Sequence, residues 1–142
     1  MRETLTKSPD QLGSVDLSAT IELTPPKITQ AAVDSFRNAT RSTHSAEIPK
    51  TFVTLYRRGE FDWLGRLNVD FKNLLHAEQE YDYRDLLQVG DQPVVRTRVV
   101  DLKERKSLTI LTLHSDILVG EKIKVVSTTT FMIRNPRPEG DA

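Results

Sequence analysis

The sequence predicts a single α+β domain in which helices come first and an antiparallel sheet follows. Apolar residues recur at spacings of three and four in the first half of the chain, whereas apolar and polar residues alternate from Glu78 onwards. Short turns separate the alternating segments, which is typical of antiparallel strands joined in sequence. The 142 residues fit one domain. We expect it to span residues 18–134, between a flexible segment 1–17 and a flexible tail 135–142.

Two helices are predicted before the sheet. Residues 18–24 alternate and predict a short strand. The stretch ITQAAVDSFRNAT, from Ile28, spaces its apolar residues by three and four behind the candidate N-cap Thr29, so it predicts a helix of about three turns. The stretch FDWLGRLNVDF, from Phe61, repeats that spacing and predicts a short second helix interrupted by Gly65. Between the two helices, TFVTLYRR fits a strand or the start of the second helix equally well.

Four strands are predicted after Leu75. In the first, three carboxylates face one side of the sheet, while Gln79 and two tyrosines face the other. The stretches PVVRTRVVDL, SLTILTLHSDILV and KIKVVSTTTFMIR supply the remaining three strands of an antiparallel meander. Three carboxylates at this spacing ordinarily form a solvated face; the alternative is that they pair with Arg96 and Arg98, which share a face of the second strand. Those carboxylates are Glu78, Glu80 and Asp82.

Composition excludes several classes of protein. Cysteine is absent, which rules out disulfides, thiolate metal sites and a cysteine nucleophile. Lys+Arg and Asp+Glu both number 20, so a general basic surface for nucleic acid is missing. No apolar run approaches the ~20 residues of a transmembrane helix. We therefore expect a cytoplasmic protein with no metal, no cofactor and neither nucleic acid nor membrane as a partner. Near-neutral charge favours association, and we expect a dimer.

The ordered series of motifs resembles the MaoC-like dehydratase family, in particular its N-terminal-type, non-catalytic domain. The stretch LLHAEQEYDYRDLLQVGD, from Leu74, is similar to the family's Leu/Val-His-Gly-Glu-Gln, Pro-Leu and Gly-Asp series, with Ala77 for the usual Gly and Asp85 for the usual Pro. Upstream, ITQAAVDSFRNAT resembles the family's first helix, and IPKTFV resembles its Val-Pro-Pro-Thr-Phe segment. The resemblance covers most of residues 15–134.

This resemblance implies a hot-dog fold, which is a long antiparallel sheet wrapped around a helix. It implies acyl thioesters, carried on coenzyme A or acyl carrier protein, as ligands, and reversible hydration of enoyl thioesters as the chemistry. It also implies that two hot dogs pair, either as a homodimer or as a heterodimer with a catalytic subunit. Fold resemblance alone does not establish activity.

The catalytic candidates lie in the loop after the first helix, where active members of the family place an Asp and a His. The matching stretch ATRSTHSAE keeps His44, but Arg41 and Ser42 stand where Gly and Asp are expected. Glu47 is the nearest downstream carboxylate. His44 and Glu47 are therefore the candidates, although a lone loop histidine is more often simply exposed to solvent.

The substrate-binding candidates are His76 and Gln79, which occupy family motif positions. One interpretation makes His76 a structural residue at a helix-to-strand junction, hydrogen-bonded to the backbone to fix the bend. The other makes it a ligand-tunnel or dimer-contact residue. The structural interpretation is favoured. His114 is expected to be a surface residue.

Three functional hypotheses remain open. The first is a thioester-binding hot-dog subunit with little activity alone, which shapes an acyl tunnel beside a catalytic partner. The second is a self-sufficient homodimeric (R)-specific enoyl-thioester hydratase or 3-hydroxyacyl dehydratase. The third is an α+β ligand-binding module unrelated to thioesters. A second helix enclosed by the sheet would separate the first two from the third.

Overall fold

The computed structural model describes residues 15–41 and 47–135. Two helices and five strands make up the described part, together with 3₁₀ turns at Lys50–Leu55 and Phe71–Asn73. The helices are α1 (Gln30–Thr40) and α2 (Arg58–Arg66). The strands are β1 (Thr20–Leu23), β2 (Leu74–Tyr83), β3 (Pro93–Glu104), β4 (Leu108–Val119) and β5 (Lys122–Arg134).

The strands form one antiparallel sheet in the order β1-β3-β4-β5-β2. The four predicted strands are confirmed, and β3, β4 and β5 form the expected meander. The expected pairing of β2 with β3 is wrong, because β2 lies at the far edge against β5 and β1 takes the place beside β3. The connection between β2 and β3 is too long for a tight hairpin and runs past the start of β5.

Lys124 holds this connection in place. Its carbonyl oxygen accepts hydrogen bonds from the backbone N–H groups of Arg84 and Asp85, at 2.8 and 3.1 Å. Its ammonium group donates to the Leu86 carbonyl oxygen at 2.8 Å and forms an ion pair with Asp91 at 3.0 Å. The alternation of β5 predicts Lys124 on the outer face, but these contacts bury it. An ammonium group tolerates this burial because it keeps both a charged and a polar partner.

The new strand order also changes the ion pairs that the sequence predicts. Arg96 bonds to Glu22 at 2.8 Å, and Arg98 bonds to Asp116 at 3.3 Å. Neither arginine meets the carboxylates of β2, because β4 and β5 lie between the two strands. The alternative that pairs these arginines with Glu78, Glu80 and Asp82 is therefore wrong, and the three carboxylates are exposed.

Helix α2 is enclosed by the sheet, as a hot-dog fold requires. Trp63, Leu64 and Leu67 are buried in the core, and the indole N–H of Trp63 donates to the Thr97 carbonyl oxygen at 3.0 Å. The third hypothesis loses its structural basis, because the enclosed helix is the feature that distinguishes a hot dog from an open α+β module.

The register of α2 differs from the prediction. The helix begins at Arg58, so Gly65 falls near its end and does not interrupt it. Its buried face contains Trp63 and Leu64, whereas Phe61 and Phe71, which the spacing predicts on that face, are 42% and 57% exposed. Their rings lie 6.1 Å apart at the surface. The spacing of Phe61 and Phe71 therefore matches that of a buried helix face, although both side chains are exposed.

Helix α1 begins as predicted. The Thr29 hydroxyl accepts a hydrogen bond from the Ala32 N–H at 3.1 Å, which satisfies one of the free donors at the helix start. Val33 is buried, and Phe36 contacts Phe52 edge-on with ring centroids 5.3 Å apart. These contacts build a second apolar cluster between α1, the first 3₁₀ turn and the sheet.

The ends of the expected domain are described only in part. Residues 1–14 and 136–142, which make up most of the predicted flexible segments, lie outside the described residues. Val15 and Leu17 are described, and they pack against the core cluster around Trp63. Within the described residues, no helix is both long and apolar enough to cross a membrane.

Candidate functional site

A β-bulge in β2 brings the two substrate-binding candidates together. Residues three apart in a regular strand face opposite sides of the sheet. The register with β5 shifts between His76 and Glu78, so Ala77 is an extra residue and His76 turns to the same face as Gln79. The His76 Nε2 atom lies 3.0 Å from Gln79 Oε1. The bulge thus creates a side-chain pair that sequence spacing argues against.

The structural interpretation of His76 is not supported by its surroundings. His76 lies within β2 and is exposed, and its ring bonds to the side chain of Gln79 and not to the backbone. On its inner side the ring faces Phe131 of β5, with ring centroids 5.5 Å apart. The exposed imidazole makes no hydrogen bond to the backbone, so we expect His76→Ala to change the free energy of unfolding by less than about 0.5 kcal/mol.

The orientation of the Gln79 amide assigns the protons of this pair. Its nitrogen donates to Ser127 Oγ at 2.7 Å and to the Thr128 carbonyl oxygen at 3.3 Å. A carbonyl oxygen only accepts, so the amide nitrogen must face Thr128 and Oε1 must face His76. The hydrogen-bond pattern therefore assigns a hydrogen to His76 Nε2, and Nδ1 is the ring nitrogen left to accept a hydrogen bond.

A buried carboxylate lies behind Gln79. Glu60 on α2 is 1% exposed, and its Oε1 accepts from the Arg57 guanidinium at 2.9 and 3.0 Å. Its Oε2 lies 2.8 Å from Thr129 Oγ1, and that hydroxyl lies 2.8 Å from Gln79 Oε1. A buried carboxylate needs a charged partner and hydrogen bonds, and Glu60 has both.

The Thr129 hydroxyl couples the two halves of the site. It has one hydrogen and two acceptors within 2.8 Å, so it donates to only one of them at a time. When Glu60 is ionised, the hydroxyl donates to the carboxylate, and Gln79 Oε1 receives its hydrogen bond from His76. In that state no hydrogen lies between Thr129 Oγ1 and Gln79 Oε1, so the network consists of two hydrogen-bonded halves that meet at Thr129.

Sequence reasoning missed Glu60, although a signal was present. Glu60 precedes Trp63, Leu64 and Leu67 by three, four and seven positions, which places it on the buried face of an amphipathic helix. A charged residue at such a position is almost never buried without a partner. Tyr81 feels the charge of Glu60. Burial is the largest effect on the pKa of the Tyr81 hydroxyl and raises it; Arg57 lowers this pKa, and Glu60 raises it further. Tyr81 is therefore a neutral hydroxyl at physiological pH.

A groove of about 300 Å³ lies beside the start of α2. Its walls are mostly apolar and come from the end of β1, the segment before α2, and β3. Burial, with a smaller contribution from Asp91, raises the pKa of Tyr56 to about 12, so this wall residue is neutral as well. Arg58 supplies the only cationic side chain among the described lining residues. The lining residues are Leu23, Thr24, Pro25, Pro26, Leu55, Tyr56, Arg58, Gly59 and Val95.

Of the two catalytic candidates in the loop after α1, only Glu47 lies among the described residues. His44 lies outside the described residues. Glu47 is exposed, and its carbonyl oxygen accepts a hydrogen bond from the buried Arg37 guanidinium, which ties the end of the loop to α1. Among the described residues there is no group of three or more His, Asp or Glu side chains arranged to hold a metal ion.

Comparison with known proteins agrees with this architecture. Residues 19–124 match the family model described as FAS1-like, dehydratase domain region. A UPF0336 protein of Thermobifida fusca is 36% identical over 76 residues, which are 52% of this chain and 49% of that protein. The chain thus spans about half the length of this curated relative.

Two solved structures from Mycobacterium tuberculosis share the fold. HtdX has a TM-score of 0.71 at 20% identity, over 86% of this chain and 54% of HtdX. The C-terminally truncated HadBC (3R-hydroxyacyl-ACP dehydratase) complex has a TM-score of 0.67 at 17% identity, over 83% of this chain and 98% of the matched chain. The predicted hot-dog fold and the resemblance to hot-dog dehydratases are confirmed, and the chain belongs to the FAS1-like dehydratase region family.

Proposed function

We propose that this chain is an acyl-thioester-binding hot-dog subunit of the 3-hydroxyacyl dehydratase and enoyl hydratase type, with little activity alone. The observation that carries the proposal is the apolar groove beside the start of α2, in a member of a dehydratase family. Ligand sites are typically concave and mostly apolar, with a few polar groups that fix orientation. The groove has that character.

The groove suits the acyl part of a thioester. Leu23, Leu55 and Val95 offer apolar walls for a hydrocarbon chain. Arg58, at the same groove, offers a cation to the phosphate-bearing carrier, whether coenzyme A or acyl carrier protein. Tyr56 stays neutral and does not oppose an anionic carrier.

We expect the isolated chain to have low activity because the loop after α1 lacks a carboxylate beside its histidine. Hydration needs a base for water, an acid for the α-carbon and donors for the enolate oxygen. The stretch from Arg41 to Ala46 contains His44 but no carboxylate to orient it. Pairing with a second hot-dog chain would supply the missing groups, and HadBC is a complex of this fold.

Binding is tested by calorimetry with crotonyl-CoA and hexanoyl-CoA on the purified chain. We expect Leu55→Trp to fill the groove and weaken acyl-CoA binding at least tenfold, since Leu55 is 55% exposed and tolerates a larger side chain without core strain. Val89→Trp is the matched control, because Val89 is 47% exposed and does not line the groove. Equal affinity in both variants, or no binding by the wild type, would contradict the proposal.

Activity is tested by crotonyl-CoA hydration on the same samples. We expect a rate near background and no effect of His44→Ala. Loss of a true acid or base group typically costs ~10²–10⁴-fold in rate. A hundredfold fall in His44→Ala, with the circular dichroism spectrum unchanged, would instead establish the self-sufficient homodimeric hydratase.

A further inference from the structure

A second groove, of about 730 Å³, lies where β2 and β4 begin and β5 ends. We call it the outer groove, because its floor belongs to the face of the sheet that points away from α2. Ligand sites in proteins typically have volumes of about 300–1,000 Å³. The described lining residues of the outer groove and of the groove beside α2 do not overlap, so the two are separate places on the molecule.

An apolar row, one side chain wide, forms the floor of the outer groove. Ile133 points into the core and is fully buried, so its neighbours Met132 and Arg134 face outwards. Met132 lies directly opposite Leu75 of β2 and Ile110 of β4, and the three side chains form a row that crosses three strands, a distance of about 10 Å. Leu75 is 61% exposed, so the row is open to solvent.

The row next to this floor, towards the middle of the sheet, is polar. It consists of Thr112, Thr130 and Glu78 and lies two residues, or about 7 Å, along the strands. The exposed apolar surface is therefore a narrow strip and not a broad patch. A stable protein interface buries about 800 Å² on each partner, which is far more than a strip of this width offers. A single hydrocarbon chain matches it.

The other side of the strip is cationic. Arg134 follows Met132 by two residues on the same face, and Lys72 lies just before β2; both line the outer groove, whose described lining residues include no Asp or Glu. Arg134 is exposed and has no ion pair in the described part of the chain. Lys72 Nζ lies 3.9 Å from Asp70 Oδ2 and its side chain is 87% exposed, and such an exposed pair contributes little. The groove thus offers two cations beside an apolar strip.

Asn135 holds one wall of the groove in place. Its backbone N–H donates to the Ser107 carbonyl oxygen at 3.0 Å, and its side-chain amide nitrogen donates to the Arg105 carbonyl oxygen at 3.0 Å. Its Oδ1 accepts from the Thr109 hydroxyl at 2.6 Å. These bonds tie the turn between β3 and β4 to the end of β5. The wall is therefore already formed before a ligand binds, which lowers the entropy cost of binding.

We propose that the outer groove is a binding site for a free fatty carboxylate, whose chain lies along the row of Leu75, Met132 and Ile110 and whose carboxylate is bound by Arg134 and Lys72. Burial of the chain supplies the apolar part of the affinity, and the guanidinium–carboxylate pair fixes the head group. The proposal goes beyond acyl-thioester binding and does not depend on it, because the ligand is a free acid and the site is a different groove.

Decanoate is the probe, and calorimetry on the full chain, below the concentration at which decanoate forms micelles, measures its affinity. We expect decanoate to bind about tenfold more tightly than decylammonium, which has the same chain and the opposite charge. Hexanoate should bind more weakly than decanoate, because its shorter chain covers less of the apolar row. Arg134→Glu and Leu75→Glu, both at exposed positions, should each weaken decanoate binding by about tenfold.

Two matched controls carry the same kinds of change elsewhere. Lys50→Glu reverses an exposed charge beside Tyr83, at the opposite end of β2, and Val100→Glu places a carboxylate at an exposed apolar position of β3 outside the groove. Each should change decanoate affinity by less than about twofold. Absence of decanoate binding, equal affinity for decylammonium, or losses in the controls as large as in Arg134→Glu would overturn the proposal.

A crossed comparison separates this site from the groove beside α2. Leu55→Trp fills that groove and should leave decanoate binding unchanged, whereas Arg134→Glu should leave hexanoyl-CoA binding unchanged, because neither residue lines the other groove. Loss of decanoate binding in Leu55→Trp would place the fatty acid in the thioester groove and contradict a second site. Since the two ligands are scored separately, failure of this proposal is distinguished from failure of thioester binding.

Discussion

Thr129 is the residue on which the polar network depends. Thr129→Val keeps the side-chain shape but removes the only hydroxyl between Glu60 Oε2 and Gln79 Oε1. The buried Glu60 Oε2 is left without this donor, so we expect the free energy of unfolding to fall by about 1–3 kcal/mol. Guanidinium denaturation followed by tryptophan fluorescence measures it. Thr130→Val, on the outer face of the same strand, should change it by less than about 0.5 kcal/mol. Equal losses in both variants would contradict a network role for Thr129.

His114 makes stability depend on pH. The pKa of its imidazole lies below the ordinary 6.5. Partial burial is the largest cause and the charge of the neighbouring Arg98 the second, while Asp116 and Glu80 act in the opposite direction. As the pH falls, the unfolded chain takes up this proton first, so stability decreases below about pH 6.5 until the lower folded-state pKa is passed. His114→Gln should remove this part of the decrease between pH 7.5 and 5.5. An NMR titration that places the folded-state pKa at or above 6.5 would contradict the assignment.

At the scale of the element, the contact of α2 with the sheet depends on one glycine. A Cβ atom at Gly59 would lie 2.3 Å from Thr97 Oγ1 and 2.9 Å from Thr97 Cβ, so Gly59→Ala must push the helix away from β3. We expect a loss of about 1–3 kcal/mol in the free energy of unfolding. Gly65→Ala in the same helix meets no atom within 4 Å and should gain about 0.5–1 kcal/mol. If chemical denaturation shows that both variants are more stable than wild type, or that both are less stable, this account is contradicted.

At the scale of the whole molecule, the topology predicts slow folding. Strand β1 pairs with β3 through Ile21 and Thr97, and β2 pairs with β5 through Gln79 and Thr129, so both edges close across long stretches of chain. Such non-local pairing typically gives folding in about milliseconds to seconds. Trp63 is the only tryptophan and is fully buried, which makes stopped-flow fluorescence a direct probe. Refolding complete within microseconds would contradict the prediction.

Much of the architecture is local and was therefore predictable from the sequence. Capping by Thr29, the apolar spacing of α1 and the alternation in the four long strands depend on neighbours within a few residues. The order of motifs also predicted the hot-dog fold. Alternation correctly placed Glu78, Glu80 and Asp82 on the exposed face of β2.

Tertiary structure decided what no local pattern contains. The position of β2 against β5 gives its carboxylates uncharged neighbours, and Arg96 and Arg98 pair instead with Glu22 and Asp116. A bulge at Ala77 turns His76 to the face of Gln79, because one extra residue reverses every side chain that precedes it. Glu60 is buried with Arg57, three residues before it, on one carboxylate oxygen, and the fold adds Thr129 of β5 on the other. Helix, strand and exposed-face propensities are set by near neighbours along the chain. The strand order, and contacts such as that of Thr129 with Glu60, join residues that only the folded chain brings together.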